Sequence, residues 1–182
     1  MNEIVAENFL HIRNLAKNID ARLNGTSIEE QMLKSELAGM FAVTIAATYE
    51  GIVRETLISY AATFHSKYKE YIEKDFKRLN ARISIDDLKS YSRRFGLTEW
   101  SGSGMKKNST TFHKILSEKK EIVERRFRTD LLVNYSNIFN WRNAYAHERA
   151  TSATFKDVYE AHRVAQYVVR SFVQAFEIGK SP

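Results

Sequence analysis

Proline occurs once in this 182-residue chain, at its last position, and glycine only seven times. Tight chain reversals draw on glycine for positive φ and on proline for a preset φ. A chain this poor in both is therefore confined to few reversals and long elements. Its apolar residues recur at helical rather than alternating spacing, which points to an all-α fold. Ile4, Phe9, Ile12, Leu15, Ile19 and Leu23 line one side of a predicted helix over 4–23. Asn24-Gly25 behind it suits a left-handed C-terminal cap.

Thr26 and Ser27, each followed three residues on by Glu29 and Glu30, offer overlapping capping boxes for a second helix. Its stripe runs Leu33, Leu37, Met40, Phe41, Thr44, Ile45, Thr48, Ile52, Val53, Thr56, Leu57, Tyr60. Ala38, Ala42, Ala46 and Gly51 are expected to admit a neighbouring helix closely. The helical pattern persists to Leu79, yet a straight helix over 27–79 would span nearly 80 Å, at about 1.5 Å per residue. A compact chain of this size is about 40 Å across. A break or bend is therefore expected near Phe64–Tyr71. Ser84 with Asp87 caps a short helix over 85–95 closed by Gly96, and 97–110, with Ser101-Gly-Ser-Gly104, reads as a loop. Further helices are predicted over 111–127, 130–147 and 154–178. The whole is read as one helical domain over 1–178 with a flexible tail at 179–182.

Several classes fall away on composition. Without cysteine there is no disulfide framework and no thiolate metal site. His11, His65 and His113 have no partner spacing for zinc, so neither a metal nor another cofactor is expected. The N-terminus lacks the basic and apolar regions of a signal peptide, and the best apolar run, Leu37–Tyr49, falls short of the roughly 20 residues of a membrane helix. A cytoplasmic location away from membranes is the resulting expectation. The charge of +6 favours encounter with polyanions such as nucleic acid. Ser101-Gly-Ser-Gly104 lacks the Lys-Ser/Thr of a phosphate-binding loop. The charged run Lys119–Arg128, interleaved with Glu121 and Glu124, reads as a solvated helix face, and His162, among apolar neighbours, as a core histidine.

Trp141-Arg-Asn-Ala-Tyr-Ala-His147 carries the chemistry. Arginine is a permanent cation whose fork fits a phosphate, and histidine can move a proton near neutral pH. Five residues apart on a helix, Arg142 and His147 are separated by about 140° and 7.5 Å, so they do not share a face. Asn143 and His147, four apart, do, and Asn143 is placed to hold the imidazole. One copy makes a sparse site; two copies facing each other would supply two Arg and two His around one phosphate. That set suits RNA transesterification: His takes the 2′-hydroxyl proton and Arg stabilises charge on the phosphoryl oxygens. The plainer roles are an ion pair for Arg142, a helix-dipole partner for His147 and a salt bridge to Arg54 for Glu50.

Arg142-Asn-Ala-Tyr-Ala-His147 resembles the Arg-x4-6-His motif of the HEPN superfamily, in which a polar residue often follows the Arg. Tyr49-Glu50-Gly51-Ile52-Val53-Arg54 resembles an aromatic-Glu pattern of several HEPN families, especially the RiboL-PSP type. The helix order is similar too, with the motif on the penultimate helix. The resemblance implies a HEPN-like up-and-down bundle of four to five main helices with short additional ones, acting as a homodimer. It implies a metal-independent endoribonuclease, toxin or phage-defence effector, acting on RNA. Arg142, Asn143 and His147 would be catalytic, with Glu50 and Arg149 as substrate contacts and an antitoxin or other defence-system protein as a further candidate partner. The alternative is a non-catalytic HEPN module binding RNA, a nucleotide or a protein. One HEPN subgroup, controlled by nucleotidyltransferase antitoxins, carries Tyr two residues after the His; this chain has Arg149 there, against that mode of control.

Overall fold

A computed structural model describes residues 3–22, 27–78, 83–97, 111–149 and 151–180. They form helices and no strand: α1 (Glu3–Arg22), α2 (Ile28–Ala62), α3 (Ser66–Arg78), α4 (Ile85–Arg94), α5 (Thr111–Phe127), α6 (Leu131–Glu148) and α7 (Phe155–Ile178). Five long helices and two short ones, α3 and α4, realise the all-α expectation. Asn24-Gly25, Thr26 and the Ser101–Gly104 loop with Trp100 lie outside the described residues.

The helix starts follow from side chains that replace missing intrahelical partners. Ser27 Oγ accepts from Glu30 N at 3.2 Å at the head of α2. Ser84 and Asp87 form the expected reciprocal box on α4. Past its end, Gly96 takes φ 73 and Leu97 N donates to Ser92 O at 2.9 Å, a glycine-dependent closure. Asp130 caps α6 through Leu132 N and Val133 N, at 2.7 and 3.0 Å, and Thr154 with Asp157 forms a box at the start of α7.

The break in the long helical pattern falls at Thr63–His65, at the leading edge of the expected stretch. Neither Pro nor Gly makes it. Thr63 N and Phe64 N donate to Tyr60 O and Ala61 O, tightening the last turn of α2. His65 then begins α3, its Nδ1 accepting from Lys67 N at 3.1 Å. At 35 residues, α2 spans about 52 Å. It is long and apolar enough to cross a membrane, and half of its most apolar stretch is buried inside the protein.

The chain divides into two compact units, 1–48 with 129–166, and 49–128 with 167–182. In the first, Phe9 of α1 meets His162 of α7 edge-on at 5.6 Å, and Phe41 of α2 packs on Phe155 of α7 at 4.8 Å. His162 is a core histidine, as expected, and no buried side-chain polar atom among the described residues lacks a hydrogen bond. Ala38, Ala42, Ile45, Leu131, Ile138, Val158 and Ala165 of the same unit are fully buried. Leu33 and Met40, placed on the buried stripe from sequence, are instead 45% and 53% exposed: the stripe drifts because apolar residues outnumber the positions the core can take.

In the second unit Tyr60 gathers an aromatic cluster, edge-to-face with Phe64, Phe95 and Phe176 at 5.2, 5.6 and 5.0 Å. Its hydroxyl donates to Gly179 O at 3.2 Å, and burial pushes that hydroxyl's pKa up. Phe112 of α5 meets Phe172 of α7 at 5.7 Å. The charged run of α5 keeps Glu121, Glu124, Arg125 and Arg126 exposed around a buried Val123, as expected of a solvated face. At Gly51 a Cβ would meet nothing within 4 Å among the described residues. Gly51 is therefore not a notch for a neighbouring helix, a correction to the sequence expectation.

The Thr154–Asp157 box yields a pH-dependent test. Hydrogen bonds from the Thr154 hydroxyl and backbone N–H lower the Asp157 pKa. A carboxylate depressed in the folded state adds stability above its unfolded pKa, and loses it as pH falls through the folded value. Asp157→Ala should cost about 1 kcal/mol at pH 7. In urea denaturation the gap between variant and parent should close below about pH 4.

Candidate functional site

The motif occupies the C-terminal half of α6. Leu131, Tyr135 and Ile138 bury one face of this helix, and successive positions step round it by about 100°. On that wheel Ser136, Asn140, Asn143 and His147 fall together on the opposite side, and all four are exposed. Arg142 sits toward the buried side and is half-buried. The motif is thus split by the helix itself, with its stem in the protein and its amide and imidazole in solvent.

Tyr145 fixes the stem. A Cβ built on Gly39 of α2 would overlap three atoms of the Tyr145 ring. The aromatic ring fills the space that any side chain at 39 would need. Gly39 is buried, and this close approach sets α6 against α2 at the motif. Sequence reasoning named three alanines and Gly51 as the small residues for helix packing and missed Gly39. The only signal was its position one residue after Ala38 on the buried stripe.

Arg142 does not remain to the side. Its Nη1 donates to Asn143 Oδ1 at 3.0 Å, which brings the guanidinium across toward the face that carries Asn143 and His147. The expected role of Asn143, holding the imidazole, is replaced: its carbonyl oxygen serves Arg142. His147 lies one turn further on, exposed, with no hydrogen-bond or ionic partner among the described residues. Arg142 and Asn143 are therefore joined into one donor surface, and His147 stands beside it, open to a ligand.

Arg149 ends the helix in the left-handed region, φ 50 and ψ 28, its N–H donating to Tyr145 O at 2.9 Å. Glycine is the residue this position favours. An arginine there carries a backbone cost of about 1–2 kcal/mol while its exposed cation sits two residues from His147. Glu50 lies on α2, half-buried, next to the fully buried Tyr49, in the second compact unit. Arg54, the partner expected for it, stands 3.9 Å from Glu55. Trp141 is half-buried.

Two tests follow from this geometry. Gly39→Ala forces the Tyr145 ring to move, and overpacking of about 1–3 kcal/mol outweighs the roughly 1 kcal/mol of helix propensity gained. The same change at Gly51 meets open space and should stabilise by about 0.5–1 kcal/mol; urea midpoints of the two variants should move in opposite directions. Arg149→Gly should raise stability by about 0.5–1 kcal/mol, the relieved strain being partly offset by the freer unfolded chain. A thermal melt that fails to rise would show that Arg149 is not strained.

The sequence places this arrangement among known proteins. No curated protein and no solved structure gave a match. A family model described as RiboL-PSP-HEPN matches residues 7–177, from the first turns of α1 to the end of α7. With almost the whole of its length matched, and its Arg-x4-His segment on the penultimate helix of an all-α fold, the chain belongs to the RiboL-PSP-HEPN family.

Proposed function

We propose that this protein is a metal-independent endoribonuclease of HEPN type, with a composite site built from two copies of the chain. The observation that carries the reading is the Arg142–Asn143 hydrogen bond, on an exposed helix face shared with His147. It makes a preformed cationic fork beside a base that solvent and substrate can reach. One copy offers a single Arg and a single His, whereas cleavage by transesterification uses both a base and an acid.

The chemistry then runs as follows. His147 of one copy takes the proton of the ribose 2′-hydroxyl. The 2′-oxygen bonds to phosphorus while the bond from phosphorus to the 5′-oxygen breaks. The partner subunit's His147 protonates the departing 5′-oxygen. Arg142 side chains stabilise the charge on the non-bridging oxygens, and Arg149 adds a phosphate contact. The products are a 2′,3′-cyclic phosphate and a 5′-hydroxyl. The net charge of +6 favours encounter with RNA. By family resemblance, we place this activity in the cytoplasm, in a toxin or phage-defence effector held by an antitoxin or another defence-system protein.

A second reading, a non-catalytic HEPN module that binds RNA, is favoured by one observation: His147 lacks an orienting partner among the described residues. Turnover separates the two. RNA incubated with the protein in excess chelator should yield cyclic-phosphate ends, and His147→Ala should slow cleavage by about 10²–10⁴-fold. Arg142→Ala should slow it by about 10²–10³-fold. RNA that is bound but left intact, or cut equally by both variants, would leave the binding module standing. Light scattering should report a dimer; a strict monomer would sink the composite site.

A further inference from the structure

Beyond the motif, the first compact unit holds a cavity of about 720 Å³. This lies within the roughly 300–1,000 Å³ of small-ligand sites. Its walls come from α1, α2, the segment after α6 and the start of α7. Phe155 and Tyr159, one turn apart on α7, line it, and both rings are backed by Phe41 at 4.8 and 6.5 Å. They make a braced aromatic face, half-buried and open on the cavity side. Lys17, Lys34 and Lys156, from three different helices, converge on the same space.

Two carboxylates also line the cavity, Asp20 and Glu160. Glu160 is held by Arg163, whose Nη1 lies 2.9 and 3.1 Å from its two oxygens. With Glu160 held by Arg163 and Lys34 engaged in an interaction of its own, Lys17 and Lys156 face the single carboxylate of Asp20, and the lining keeps an excess of positive charge that favours an anion. A braced aromatic face beside convergent ammonium groups fits an aromatic base carrying a phosphate. Thr151, also on the wall, is four residues from His147. At about 3.8 Å per residue their Cα atoms lie within roughly 15 Å of each other, a reach of a few nucleotides.

We propose that this cavity binds one nucleotide unit of RNA, its base on Phe155 and Tyr159 and its phosphate between Lys17 and Lys156. It would be a specificity subsite flanking the cleaved bond. The subsite role rests on the ribonuclease reading; binding of a nucleotide does not. Two probes separate an RNA strand from a free nucleotide. AMP, followed by NMR, should shift resonances of Lys34, Thr151 and Tyr159. A 2′-O-methyl hexanucleotide, which lacks the attacking hydroxyl, should bind with fluorescence anisotropy reporting its Kd.

The double variant Lys17→Ala/Lys156→Ala should weaken the hexanucleotide about tenfold and lower the salt slope of log Kd by about 0.7 for each phosphate contact removed. Tyr159→Leu, which keeps an apolar side chain against Phe41, should weaken binding about tenfold through lost stacking while leaving the salt slope unchanged. AMP that shifts none of these resonances, or variants that bind with parental Kd and slope, would overturn the proposal. Loss of AMP binding with hexanucleotide binding intact would overturn the RNA subsite in favour of a free-nucleotide pocket. Unmodified RNA that is bound in the cavity but never cut would sink the ribonuclease reading and spare this one. Cleavage unaltered in rate and sequence preference in both variants would do the reverse.

Discussion

Burial of a little over half of the circumference of α7, along its whole length, is the constraint to which the other helices answer. In the first unit Val158, Ala161, His162, Val164 and Ala165 are withdrawn from water; in the second, Val168, Val169, Phe172, Val173, Ala175 and Phe176 are. Each fully buried aliphatic or aromatic side chain contributes about 1.5–3 kcal/mol, so α7 and α2, which together supply more than half of the buried apolar residues among those described, carry most of the driving force. The helix can be enclosed only if its neighbours present matching apolar faces. Phe9, Phe41, Tyr60 and Phe112 supply rings from α1, α2 and α5 for that purpose. Two polar side chains of α7 are accepted into this interior: His162, edge-on to Phe9 and stacked near Tyr159, and Ser171, whose hydroxyl donates to Tyr167 O at 2.7 Å.

The motif exploits that rigidity. Tyr145 is locked where Gly39 leaves no room for another side chain, and the helix geometry then dictates that Asn143 and His147 emerge on the far side. A catalytic or binding group gains from being mounted on a helix whose own packing is over-determined, because little ordering is left to be done when the ligand arrives. Arg142 is the intermediate case, with a half-buried stem and a head turned outward to Asn143. The strained backbone at Arg149 lies at the same end of the helix. It is compatible with a functional position held by its surroundings rather than by local preference.

Much of this was legible in the residues. The Ser84–Asp87 box, the Gly96 closure, the start of α7 and the core placement of His162 could be read because each depends on groups within a few positions of one another. The break after α2 was legible as a necessity of size, though its site was not: Thr63–His65 contains no breaker, and a histidine ring supplies the cap. Gly39 and Gly51 look alike in sequence, yet one is filled by a ring more than 100 residues away and the other faces open space. The stripe on α2 was over-read at Leu33 and Met40, since periodicity tells which residues share a face and not how far along the helix the core extends.

By itself, then, the sequence determined the helical class, most helix ends, and the pairing of a permanent cation with a titratable ring on one helix. These are consequences of backbone hydrogen bonding, capping and a period of 3.6, all satisfied within a turn or two. Tertiary structure alone decided which small residue admits the motif helix, where the Arg142 guanidinium points, and which lysines and aromatic rings share a cavity. Those outcomes depend on contacts between residues far apart in the chain. Only close packing in three dimensions, which allows a single ring or a single Cβ at each point, selects among them.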